Sequence, residues 1–144
     1  MPLYPPSTGG GASAATQAEE EAASSTTVYS SPGREQYHPG VAKGWVVFNG
    51  TGTPAITASR NVTSITDNGT GNYTINWTTS FSSANYAWAG SAQRDNSTTA
   101  ALDWVTGYST ASNPATGSLR IQVSNSAASA VDSTYVCVAA YGDQ

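Results

Sequence analysis

Charge is scarce in this chain of 144 residues: 10% are Asp, Glu, Lys or Arg, against about 25% in an average soluble domain. The basic residues, Arg34, Lys43, Arg60, Arg94 and Arg120, are scattered, and the formal net charge is −4. A phosphate backbone is gripped by clustered Lys and Arg, so nucleic acid is not an expected partner. No apolar run approaches the roughly 20 residues of a membrane helix, so no membrane insertion is expected. The opening Met1-Pro2-Leu3-Tyr4-Pro5-Pro6 has neither the basic nor the apolar region of a secretory signal.

Cysteine and histidine are equally thin. Cys137 stands alone, which excludes an intramolecular disulfide and a cysteine-based metal site. Within Tyr135-Val136-Cys137-Val138 it reads as a small buried apolar residue. His38 is the one histidine, so any Ser–His–Asp triad would have to use it. It lies in Tyr37-His38-Pro39-Gly40, the hinge between two segments, and zinc would lack further nitrogen or sulfur ligands. Asp67, Asp95 and Asp132 sit in turn clusters, where Asp bonds its own backbone. Asp103 reads as a solvent-facing strand residue. None of this places two carboxylates on facing walls as a glycosidase needs. Asp67-Asn68-Gly69 lacks the rest of a calcium loop, and Gly50-Thr51-Gly52 lacks the Gly-Lys-Ser/Thr ending of a phosphate loop. The Asn-x-Thr triplets at Asn61, Asn72 and Asn76 follow from Asn/Thr-rich strands. The expectation is a non-enzyme with no catalytic residue, cofactor or metal.

What the chain does have is aromatic residues and short alternating segments. Four Trp and eight Tyr argue against disorder. Tyr73, Ile75 and Trp77 alternate with Asn72, Thr74, Asn76 and Thr78. Leu119, Ile121 and Val123 alternate with Ser118, Arg120, Gln122 and Ser124. Both patterns are half-buried strands with one wet face. Trp45-Val46-Val47-Phe48 is a continuous apolar run, as in a strand covered on both faces. Residues 55–66, 85–94, 100–108 and 133–141 complete about seven strands, separated by turn clusters. The fold class is mainly β: an antiparallel, jelly-roll-like β-sandwich over residues 41–144. Strand Trp residues at 45, 77, 88 and 104 are assigned to the core or a subunit interface in preference to sugar stacking.

Ahead of the sandwich lie an extended Pro/Gly/Ser leader, residues 1–13, and a helical adaptor, residues 14–40. Thr16-Gln17-Ala18-Glu19 is a capping-box pattern, and Ser31-Pro32 reads as a second helix start. Ala14, Ala18 and Ala22 follow one another at i, i+4 and form a small apolar face. So short a helix is marginal alone and needs something to dock against.

Several segments together resemble the tail-fibre and appendage proteins of tailed bacteriophages. Ala15 to Glu19, Ser24 to Thr27, Ser31 to Arg34 and Gln36 to Pro39 resemble a fibre connector. Ala42 to Gly52, Val62 to Thr74 and Tyr135 to Asp143 are similar to parts of a fibre-associated β-domain. The resemblance implies a virion structural protein, a homotrimer, assembled in the bacterial cytoplasm and exposed on the particle exterior. Residues 1–40 would attach it to other phage tail or capsid proteins, with Ala14, Ala18, Ala22, Tyr37 and His38 as anchoring or oligomer contacts. Two alternatives share the same features: a capsid-surface decoration or head-fibre protein, and a carbohydrate-binding module that recognises a host surface glycan.

Overall fold

The computed structural model describes residues 12–94, 103–109 and 113–144, and the chain separates into two compact units, Met1–Pro39 and Gly40–Gln144. Apart from Ala12 and Ser13, the expected leader lies outside the described residues.

In the first unit the capping box forms as the sequence requires. Helix α1 spans Gln17–Ala22. The Thr16 hydroxyl accepts from the Glu19 amide at 3.3 Å, and the Glu19 carboxylate accepts from the Thr16 amide at 2.8 Å. Ala23, left-handed at φ 47°, ends the helix and donates back to the carbonyls of Glu19 and Glu20. A helix this short draws its stability from packing. Here the chain returns alongside it: the Ala15 amide donates to Tyr29 O at 2.9 Å, and the Tyr29 amide to Ser13 O at 3.2 Å. The second helical piece begins later than Pro32. The Ser31 carbonyl accepts from both Arg34 and Glu35 in a closed turn, and a 3-10 helix follows at Glu35–Tyr37. Gly33 inside that turn disfavours an earlier start.

The second unit is an antiparallel β-sandwich of two four-stranded sheets. Its strands are β1 Gly44–Asn49, β2 Ala55–Arg60, β3 Val62–Asp67, β4 Asn72–Trp77, β5 Ala87–Gln93, β6 Trp104–Gly107, β7 Ser118–Ser124 and β8 Tyr135–Tyr141. One sheet runs β2-β1-β8-β5 and the other β3-β4-β7-β6. The expected single strand over 55–66 is two strands, one in each sheet. Asn61 between them is left-handed, φ 57°, a conformation Asn tolerates better than most residues. Its side chain fixes the crossing, accepting from the Thr79 amide at 2.7 Å and donating to the Thr79 carbonyl at 3.0 Å.

The inward sides of the two sheets build one core. Val46, Phe48, Val136, Val138 and Ala140 come from the first sheet, and Tyr73, Ile75, Trp77, Leu119, Ile121 and Val123 from the second. Phe48 meets Tyr73 edge-on at 5.2 Å between ring centroids. At the other end Trp77 packs edge-on to Phe81 and Tyr86, which stack on each other. The Trp77 indole N–H donates to the Tyr86 hydroxyl at 3.2 Å, and that hydroxyl donates to the Ser118 carbonyl at 2.9 Å. The alternations in β4 and β7 therefore run in the expected register. The Trp45–Phe48 run does not: Val46 and Phe48 are fully buried, while Trp45 and Val47 are half-buried on the opposite, outward face.

Candidate functional site

The polar side chains that the sequence offers to chemistry are engaged in holding the sandwich together. The Tyr73 hydroxyl shares its proton between Asp132 Oδ1 at 2.7 Å and the Gly50 carbonyl at 2.8 Å. Asp132 Oδ1 also accepts from the Gly71 amide at 2.7 Å. Glycine is required at both backbone positions of this knot. A Cβ on Gly50 would lie 2.5 Å from the Tyr73 hydroxyl, and Gly71, at φ 65°, would place one 2.5 Å from Val123 O. Burial first, then the hydrogen bond to Asp132 and its charge, push the Tyr73 hydroxyl far above the ordinary tyrosine range. Burial also raises Tyr86, against the lowering effect of its bond from Trp77.

Asp103 is not the solvent-facing residue expected. Its side chain has no exposed surface, the Arg94 guanidinium grips both its oxygens at about 3 Å, and the Ser133 hydroxyl donates to Oδ2 at 2.8 Å. A lone buried carboxylate would be costly, and these partners offset that. Asp67 makes the expected turn, accepting from the Gly69 amide at 2.9 Å, while Asp95 lies outside the described residues. Among the described residues no three His, Cys, Asp or Glu side chains come together as a metal set. Asn72 is buried and accepts from Arg120 at 2.9 Å.

The first sheet presents the candidate interaction surface. Residues opposite one another in an antiparallel pair share a face. Trp45 and Val47 thereby align with Ala139 and Cys137 of β8, and these with Ala89 and Ser91 of β5. Tyr135 and Tyr141 continue the same side of β8 and are 47% and 40% exposed. A trough of about 520 Å³ runs between Trp45, Val47, Ala89, Tyr135 and Cys137. Arg60 lies opposite Trp45 at the β2 edge of this face. Cys137 is thus half-buried on the outward face, with its sulfur 3.0 Å from the Ser91 hydroxyl, and not in the core as expected. A strand with one wet face alternates apolar with polar, whereas residues 45–48 of β1 and Tyr135–Tyr141 of β8 have no such alternation.

The anchoring residues read from the sequence fall in the first unit but do not form one patch. Ala18 and Ala22 are exposed on α1, whereas Ala14 precedes the helix and pairs with Tyr29. The inferred i, i+4 face therefore loses its first member, because Thr16 caps the helix two residues after Ala14. Tyr37 is half-buried in the 3-10 helix, and His38, exposed just after it, borders a small pocket with Ala15, Glu19 and Glu20. Among the described residues of this unit those buried are Ala15 and Glu20, and the sequence pattern had singled out neither for burial. Compared with known proteins, the chain matches no family model, no curated protein and no solved structure.

Proposed function

We propose that the chain is a virion structural protein, a homotrimeric tail-fibre or short tail-appendage subunit, attached through residues 1–40 and projecting its sandwich outward. The observation that carries this reading is the outward face of the β2-β1-β8-β5 sheet. Contiguous apolar surface of this kind on a soluble domain marks a contact surface. Its occupant in this reading is a second copy of the chain. The paired positions across its middle, Trp45, Val47, Ala89, Ser91, Cys137 and Ala139, carry no charge, so two copies can meet there without burying an unpaired ion, and Tyr and Trp are the residues that interfaces favour. The number three comes from the resemblance to phage fibres.

Mass-spectrometric inventory of purified particles tests the reading. The full chain is expected in copy numbers that are multiples of three, and a variant lacking residues 1–13 is expected to fold with an unchanged β-type circular dichroism spectrum yet to be missing from particles. Absence of the full chain from particles would overturn the proposal.

A second reading, a carbohydrate-binding host-recognition module, is favoured by Trp104. It is 42% exposed and lies on the outer side of the β3-β4-β7-β6 sheet, beside Thr106 and opposite Ser124. An exposed ring flanked by hydroxyls suits stacking on a sugar. A glycan array probed with the wild type and Trp104→Ala separates this reading from the first.

A further inference from the structure

The first unit contains a small cavity of about 190 Å³, walled by Ala15, Ala23 and Val28 together with Glu19, Glu20 and His38. For scale, an engineered apolar cavity of about 150 Å³ admits a benzene molecule. Glu20 is 6% exposed, and its Oε1 is buried with no hydrogen-bond partner. A buried carboxylate oxygen without a donor costs free energy that an incoming donor recovers. Glu19 does not share the deficit. Its carboxylate accepts from the Thr16 amide and hydroxyl, both at 2.8 Å, and those bonds, the amide first, hold its carboxyl below the usual range.

We infer that this cavity is a socket for one basic side chain, lysine or arginine, of the protein to which the N-terminal unit docks. The inference rests on the reading of residues 1–40 as the anchor and names the chemistry that the anchor recognises. A divalent metal ion needs several oxygen ligands at once, and the socket offers one unpartnered carboxylate oxygen. An amine with an aliphatic stem satisfies both parts of the wall. The stem lies against Ala15, Ala23 and Val28, as lysine stems cover apolar surface elsewhere, and the ammonium reaches Glu20. The charge of the unit points the same way: residues 1–39 carry Glu19, Glu20, Glu21 and Glu35 against Arg34, four acids to one base. That excess draws a cationic partner in.

The test is a titration of the full-length, ¹⁵N-labelled chain with n-butylammonium chloride, followed by amide NMR. Saturable shifts are expected at Ala15, Ala23 and Val28, in the millimolar range. Glu20→Gln, which keeps the shape and removes the charge, should weaken binding at least tenfold while leaving the spectrum dispersed. Glu20→Asp, which keeps the charge on a shorter arm, should retain part of it. Equal binding by Glu20→Gln, equal shifts with n-butanol, saturation of the same residues by calcium chloride, or no saturable shift at all would each overturn the socket. None of these outcomes bears on whether the chain enters particles, so failure of the socket and failure of the anchor reading are told apart.

Discussion

The two sheets of the sandwich share one core and differ in what they show to the outside. Apart from Trp104 at its β6 edge, the outer side of β3-β4-β7-β6 is a ladder of short polar groups. The Asn76 amide donates to Thr66 at 3.0 Å and Ser64 at 3.1 Å, Asn68 donates to Thr74 at 2.9 Å, and Thr63 bonds Thr78 at 3.0 Å. The Arg120 guanidinium lies 4.1 Å over the Tyr108 ring. This side satisfies itself and water. The outer side of β2-β1-β8-β5 has Trp45, Val47, Ala89, Cys137 and Ala139 where the other has Asn and Thr. With few charges to spend, the chain keeps one face wet with hydroxyls and amides and leaves the other sticky. The difference singles out the face on which the proposed self-association rests.

The contrast depends on a common backing, and Trp77 is its largest single support. Trp77→Ala should destabilise the sandwich by about 3–5 kcal/mol, the usual core-aromatic cost, measured by urea denaturation. A loss under about 1 kcal/mol would mean the two faces are not held on one core.

Next in size is the knot that joins the sheets, from Tyr73 on β4 to the Gly50 carbonyl just after β1. Tyr73→Phe leaves Asp132 and Gly50 short of a donor and should cost about 1–3 kcal/mol. Because the folded-state hydroxyl titrates far above the ordinary value of 10.0, its contribution is complete below about pH 10 and is lost as pH rises beyond that. Stability of the wild type should therefore fall on the alkaline side, and Tyr73→Phe should fall less steeply. Parallel slopes would place the alkaline loss elsewhere, Tyr86 first.

Asn61 sets which sheet each half of the 55–67 segment joins. Asn61→Ala must hold a left-handed backbone and lose both bonds to Thr79, and should cost about 1–2 kcal/mol by thermal denaturation. The smallest effect belongs to the wet side: Thr78→Ala, exposed next to β4, should change stability by less than about 0.5 kcal/mol.

These residues also show what was legible beforehand. The alternation in β4 and β7 is period-two over six or seven residues, and it fixes both class and register. The Thr16 capping box was readable because both partners are local in sequence. The break at Asn61 was not, since one Asn in a run of β-formers carries little signal. The outward apolar face of the first sheet was hidden because a strand buried on both faces and one with an uncovered apolar face have the same apolar run. Asp103 was misplaced because its partner Ser133 lies thirty residues away; the burial of Glu20 carried no sequence signal, since the residues that share its pocket, Val28 and Ser30, lie beyond the helix.

The central claim is that the apolar outer face of the first sheet is where copies of this chain meet. Multi-angle light scattering on the wild type, Val47→Lys and Thr74→Lys tests it most directly, since the two substitutions put the same charge on the two contrasting faces. The account predicts three times the chain mass for the wild type and for Thr74→Lys, and the mass of one folded chain for Val47→Lys. A wild type that remains a single chain at micromolar concentration, or a Val47→Lys variant that still associates, would contradict it.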